Sequence, residues 1–169
     1  TLCAKGDLDT AIESYKQALI IQPDYAEAYL NIGVALQNMG DLGAAIDSYK
    51  QALIIQPDYA EAYLNIGLVL CVKGYPEASI DNFEQAIKSK PNYAEAYYSM
   101  GNAQVDKGDI DGGIESYEMA LKIKPDYQAA RADKLHQQSQ ICDWSALEQD
   151  RDLIARLGVS TEAIEPFAA

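Results

Sequence analysis

The stretch "SYKQALIIQPDYAEAYLNIG", Ser14 to Gly33, recurs letter for letter from Ser48 to Gly67. An enzymatic site is ordinarily written once, so a verbatim copy points to architecture. The interval from Ser14 to Ser48 also separates Pro23, Pro57, Pro91 and Pro125. Tyrosines keep step: Tyr25, Tyr59, Tyr93 and Tyr127 follow the prolines, with Tyr29, Tyr63 and Tyr97 behind them. A third series is Tyr15, Tyr49, Phe83 and Tyr117. Self-similarity at a fixed spacing of this length means stacked supersecondary units rather than one compact core around one site.

Each unit reads as two helices. In the unit 26–59, Tyr29, Ile32, Gly33 and Leu36 recur at three- and four-residue spacing and form one apolar stripe. Ala45, Ile46, Tyr49, Ala52 and Leu53 form a second. Between them Gly40 can adopt the left-handed conformation that ends a helix, and Asp41 can cap the next. Pro57 stops the second helix because it has no backbone N–H to donate. Gly33 and Ala45 are small where the two helices must approach, and Tyr29 and Tyr49 fill the adjacent space. The same grammar returns with Gly67, Gly74 and Ala78 to Ala86, and again with Gly101, Gly108, Gly113 and Ala120. Ser79 and Gly113 replace Ala45, and Pro76 opens a helix.

This pattern resembles the tetratricopeptide repeat, a helix-turn-helix unit whose period matches the proline interval. The resemblance covers Thr1 to Tyr127 and rests on the Tyr29–Ile32–Gly33 cluster, Ala45, Tyr49, Ala52, Pro57 and their counterparts. It implies an all-α right-handed superhelix, a solenoid with a degenerate C-terminal capping hairpin. The expected units are a truncated first repeat at 1–25 and full repeats at 26–59, 60–93 and 94–127. In the first, Thr1 to Lys5 are the remnant of a first helix before a Gly6–Asp7 turn. Ile12, Tyr15 and Leu19 of its second helix then present an apolar edge, which predicts self-association through that edge. The opening TLCAKGD has no signal-peptide form and reads as the inside of a helix.

Beyond Tyr127 the grammar fades. The segment 128–140 keeps a helical pattern but is polar, as suits a helix that closes a solenoid. Asp143 can cap a further helix carrying Trp144, Leu147, Leu153, Ile154 and Leu157, so that 128–158 forms the capping hairpin and 159–169 a tail leading to a downstream region. Cys142-Asp143-Trp144, the helix after it and Pro166-Phe167 resemble the segment that follows the repeats in O-linked N-acetylglucosamine transferase-like (SPINDLY-type) proteins. That likeness implies a larger parent whose substrate-recruiting arm is this chain, with sugar-nucleotide chemistry after Ala169.

Composition narrows the partners. Twenty-six acidic residues against thirteen basic ones give a formal net charge of -13. Such a surface repels phosphate backbones and anionic lipid, so neither nucleic acid nor a membrane is expected as partner. Cys3, Cys71 and Cys142 show no CxxC spacing, which argues against a disulfide framework or a zinc site and for a reduced, cytoplasmic setting. No apolar run approaches the ~20 residues of a membrane span. The single histidine, His136, has no cysteine or carboxylate motif around it. "DKGDIDGG" (Asp106 to Gly113) lacks alternate ligands and a closing glutamate, and reads as a helix turn rather than a calcium loop. No GxxxxGK, GxSxG or HExxH occurs. The expectation is no cofactor and no catalysis within this chain.

The resemblance puts the first helices on the inner, concave wall. Residues off their core stripes are then the candidate partner groove: Glu27, Leu30, Asn31, Val34 and Asn38; Glu61, Leu64, Asn65, Leu68 and Val72; Glu95, Tyr98 and Asn102. Asn31 and Asn65 carry both donor and acceptor and suit a peptide backbone. Leu30, Val34, Leu64 and Leu68 supply apolar contact, and the glutamates favour a basic ligand, so a basic or apolar peptide is the expected partner. The competing reading is that Leu30 and Leu64 pack between adjacent first helices and that the asparagines serve neighbouring backbone. Family members that clamp acidic C-termini use lysine and arginine on this wall. Here Glu27, Leu30, Asn31 and Val34 stand there, which argues against that activity.

Overall fold

The computed structural model describes residues 2–140 of the chain. They form eight helices: α1 (Leu2–Ile21), α2 (Ala26–Met39), α3 (Leu42–Ile55), α4 (Ala60–Val72), α5 (Pro76–Ser89), α6 (Ala94–Lys107), α7 (Ile110–Ile123) and α8 (Gln128–Gln140). No strand occurs among the described residues.

The turn chemistry follows the sequence closely. Gly40 and Gly108 close α2 and α6 at φ of 86° and 93°, and Gly74 follows α4 at 77°. These are left-handed values that a Cβ would strain. Asp41 accepts a hydrogen bond from the Ala44 N–H at 3.1 Å, and Asp109 accepts one from the Gly112 N–H at 3.0 Å. Pro76 occupies the first turn of α5, where its missing N–H costs nothing.

Pairs α2/α3, α4/α5 and α6/α7 are hairpins, and each packs against the next. The pivot of every hairpin is a ring against a glycine. Tyr49 lies on Gly33, Phe83 on Gly67 and Tyr117 on Gly101, so that no side chain fits at any of the three glycines without displacing a ring. All three rings are buried. Small residues allow equally close approach elsewhere: Ala28, Ala62 and Ala96 in the first helices, and Ala52, Ala86 and Ala120 in the second, are wholly buried. The core is therefore a chain of clusters running from repeat to repeat. One example joins Leu64 of α4, Phe83 and Ala86 of α5, and Ala96 and Ala103 of α6.

Two expectations fail. There is no turn at Gly6–Asp7, since α1 is continuous from Leu2 to Ile21 and Gly6 is not left-handed. Nor do Ile12, Tyr15 and Leu19 form an open edge. Ile12 is buried, and all three pack with Ile32, Ala35, Leu36 and Met39 of α2. Among the described side chains of α1, the exposed large apolar ones are instead Ile20 and Ile21 at its end.

Helix α8 keeps the register of a first helix, with Ala130 buried where Ala96 stands one repeat earlier. Leu135 replaces the pivot glycine. Although this helix is polar in sequence, Gln137 and Gln138 are buried, and neither side-chain carbonyl oxygen has a hydrogen-bond partner among the described residues. The rest of the expected hairpin, residues 141–158, and the tail 159–169 with its preceding Cys142-Asp143-Trp144 motif lie outside the described residues.

Burial of the pivot tyrosines carries a pH signature. Tyr49 is fully enclosed and donates a 2.7 Å hydrogen bond to Gln37 Oε1. Burial pushes its phenol up to about 12 from the ordinary value near 10. Tyr93 is pushed up to about 12 by burial and then by the charges of Glu61 and Glu95. Below pH 10 these phenols are protonated whether the chain is folded or not, and their contribution is complete. Above it the unfolded chain loses protons that the native chain retains, so stability falls as pH rises from 10 towards 12. Each tyrosine contributes a slope of up to about 1.4 kcal/mol per pH unit in that window. Thermal melts across it should show the decline, together with phenolate absorbance appearing on unfolding. Tyr49→Phe, which places at this pivot the ring that Phe83 supplies at the next, should make the slope shallower.

Candidate functional site: the first-helix wall

Helix α2 approaches α4 directly, and α4 approaches α6, so the first helices form a continuous wall. Three clefts lined largely by second helices and the turns between repeats recur along the chain. Pro57, Asp58, Gln85, Lys88 and Ser89 line one of about 530 Å³. Pro91, Asn92, Met119, Lys122 and Ile123, their counterparts one repeat further on, line one of about 520 Å³. The third, of about 440 Å³, lies between α1 and α3 against Tyr29.

The wall divides into three parts. The first comprises residues that belong to the core. Leu64 is buried in the cluster around Phe83 and Tyr93. Leu30 is half-buried against the cluster of Ala45, Tyr49, Ile66 and Val69 and against that of Ala26, Ala52 and Ala62. Both leucines pack in clusters that span adjacent repeats, and Leu64 has no free face to offer. Leu68 is half-buried against the same cluster as Leu64.

The second part is tied up in polar contacts. Tyr98 donates to Asp133 Oδ2 of α8 at 2.8 Å, and its ring lies 5.0 Å from Tyr127 and 5.9 Å from Tyr117. Tyr117 donates to Asn102 Oδ1 at 2.7 Å. Burial raises the Tyr117 phenol, and the charges of Asp133, Tyr98 and Asp106 raise it further. Tyr98 and Asn102, expected in the groove, therefore help to join α6, α7 and α8. Asp133 was missed, although it continues the register of Asn31, Asn65 and Ser99 by one more repeat.

The glutamates are engaged as well. Lys90 Nζ lies 3.0 Å from Glu61 Oε1 and 4.2 Å from the centre of the Tyr93 ring. One repeat later Lys124 Nζ lies 3.6 Å from Glu95 Oε1 and 4.9 Å from the Tyr127 ring. Half-exposed pairs of this kind are each worth at most about 1 kcal/mol. They still supply a counter-charge to two of the three glutamates expected to attract a basic ligand. The signal was present in the sequence as a lysine three positions before each tyrosine. Glu27 differs: it accepts a long, 3.4 Å hydrogen bond from the Tyr25 hydroxyl, and no cation pairs with it among the described residues.

The third part is open. On α2, Asn31 is half-buried while Val34 and Asn38 are exposed; on α4, Asn65 is half-buried and Val72 exposed. No group among the described residues hydrogen-bonds to the side chain of Asn31 or Asn65. With the free edge of Leu68 they form two parallel stripes of amide and aliphatic side chains on neighbouring helices. No group of three or more His, Cys, Asp or Glu able to hold a metal occurs among the described residues. No helix there is long and apolar enough to cross a membrane.

Residues 1–40, 39–74 and 70–108 match the family described as TPR repeat, and 94–127 match Tetratricopeptide repeat. The chain belongs to the tetratricopeptide repeat family. Its repeats are similar to those of MamA: one crystal structure is 32% identical, covering 80% of each chain at a TM-score of 0.73. A second MamA structure is 28% identical over 98% of this chain and 90% of the other, at a TM-score of 0.77. The repeats of this chain also match a Thermobaculum terrenum O-GlcNAc transferase mutant at 28% identity and a TM-score of 0.63, over 67% of this chain and 22% of that one. The first TPR of Spaghetti (RPAP3), bound to the HSP90 peptide SRMEEVD, shares the fold at 17% identity and a TM-score of 0.67, over 69% of this chain and 93% of that one. No curated protein sequence matches the chain significantly.

Proposed function

We propose that this chain is a protein-interaction module that holds an extended segment of a partner along the wall of α2 and α4. The observation that carries the reading is the pair of asparagines. Asn31 and Asn65 occupy the same place in successive repeats, and neither is engaged by the protein's own groups among the described residues. A primary amide offers both a donor and an acceptor, so two of them in register can pair with a backbone without reading its side chains. Val34 and Val72 add aliphatic contact beside them. The reading assigns no chemistry to the repeats.

The acidic peptide named for the Spaghetti repeat is not the ligand this wall favours. Glu27, Asn31 and Val34 supply no cation to a carboxylate, and the chain carries an excess of acidic residues. A segment bearing basic and apolar side chains fits better. The double variant Asn31→Ala/Asn65→Ala should recover at least about tenfold less partner, taking about 1 kcal/mol for each lost hydrogen bond. Unchanged recovery would refute the proposal.

A second reading is favoured by Cys142-Asp143-Trp144 together with the match to the O-GlcNAc transferase repeats. In it the same wall recruits protein substrates for a glycosyltransferase encoded downstream. The complete reading frame decides it: a nucleotide-sugar domain after Ala169 supports it, and another kind of sequence there removes it.

A further inference from the structure

The glutamate–lysine–tyrosine contacts repeat with one omission. Positions 56, 90 and 124 are the C-caps of α3, α5 and α7, and their backbones are nearly the same: φ/ψ of −128°/91°, −138°/88° and −129°/88°. Each N–H bonds to the carbonyl four positions earlier at 2.8 to 2.9 Å, from Ala52, Ala86 and Ala120. At 90 and 124 the side chain is lysine, and its ammonium sits between a first-helix glutamate and the tyrosine that caps the following helix. At 56 it is glutamine, exposed and uncharged.

The Gln56 corner keeps the remaining parts. Glu27 is to it what Glu61 is to Lys90, and Tyr59 is what Tyr93 is. The next glutamate, Glu61, stands beside Tyr59 as Glu95 stands beside Tyr93. The field at Tyr59 fits this placement: burial raises its phenol first, followed by the charges of Glu27 and Glu61. An aromatic face flanked by carboxylates attracts an ammonium both through the ring quadrupole and by direct charge.

We propose that the corner formed by Glu27 and Tyr59 is a binding site for a lysine side chain of the partner segment, whose ammonium takes the place that the chain's own Lys90 and Lys124 fill in the next two repeats. The structure thus contains two copies of the site filled by the chain itself and one that is not, at the N-terminal end of the wall beside Asn31. The inference deepens the reading of that wall as a peptide surface. It explains why two of three equivalent glutamates are neutralised internally and one is left for another molecule.

The test uses a capped Gly-Lys-Gly tripeptide, with capped Gly-Gln-Gly as its uncharged control, titrated into the whole chain and followed by NMR at the Tyr59 ring and the Gln56 side-chain amide. Saturable shifts are expected there with the lysine peptide, and about tenfold weaker binding is expected for the glutamine peptide, from the combined ion-pair and cation–π contributions. Tyr93 and Tyr127 should respond little, because their corners are filled. Gln56→Lys, which installs the residue native to positions 90 and 124, should fold normally and abolish the response, whereas Gln56→Leu should keep it. Equal shifts at all three tyrosines, no saturable response, or unaltered binding in Gln56→Lys would each overturn the proposal. Asn31→Ala/Asn65→Ala leaves the corner untouched, so failure of the wall and failure of the corner are read separately.

Discussion

Phe83→Ala should lower stability by about 3–5 kcal/mol. The ring is wholly buried and rests on Gly67, so truncation removes its transfer free energy and opens a void that backbone glycine cannot fill. Phe83 belongs to the cluster that joins α4, α5 and α6, the middle of the array. Repeat arrays couple each unit only to its neighbours, so the damage should be regional. Denaturant unfolding should lose its single transition, and hydrogen exchange should show α4 to α6 losing protection before α2 and α3. A loss below about 1 kcal/mol, or protection lost evenly along the chain, would contradict a core built of linked local clusters.

The second large effect is at Gly101. Gly→Ala within a helix ordinarily gains about 1 kcal/mol because the unfolded chain becomes less free. Here a Cβ would come to 2.6 Å from the Tyr117 ring and 3.0 Å from the carbonyl oxygen of Gly113. Overpacking of this kind costs about 1–3 kcal/mol, and with a backbone atom in the way the upper part of that range applies, so the loss wins. At Gly67 the three nearest obstacles are all atoms of the Phe83 ring. The two sites should therefore separate in double variants. Phe83→Leu should partly rescue Gly67→Ala, whereas Tyr117→Leu should do little for Gly101→Ala. Melting temperatures of the double variants and their parents measure this coupling.

How much was legible follows from what kind of interaction each feature needs. The hairpins and their glycine and aspartate turns were readable because each is set within one period by residue types with a single physical use. That Gly33 marks a close approach was readable too, but not that the Tyr49 ring would lie on it. The helix through Gly6 was not, since a Gly-Asp pair permits a turn without obliging one, and Gly6 stays helical. Leu30 and Leu64 were ambiguous from periodicity, which locates a face but not which neighbour covers it. The same holds for Gln137 and Gln138, polar residues that are nevertheless buried. The Lys90–Glu61 pair and the Tyr98–Asp133 bond join residues about one period apart in the sequence, and therefore form only once adjacent repeats are stacked.

Among the wall residues, this leaves Asn31, Asn65 and the aliphatic side chains beside them as the surface that carries the functional reading, with the Gln56 corner at its end. The most direct test is to place a photo-crosslinking residue at Val34 or Val72 on the first-helix wall, and in separate chains at Gln51 or Gln85 on the second helices, in extracts of the cells that make the protein. The account predicts partner adducts from Val34 and Val72 that diminish when Asn31→Ala/Asn65→Ala is added, and few from Gln51 and Gln85. Adducts arising from Gln51 and Gln85 with none from the wall would contradict it.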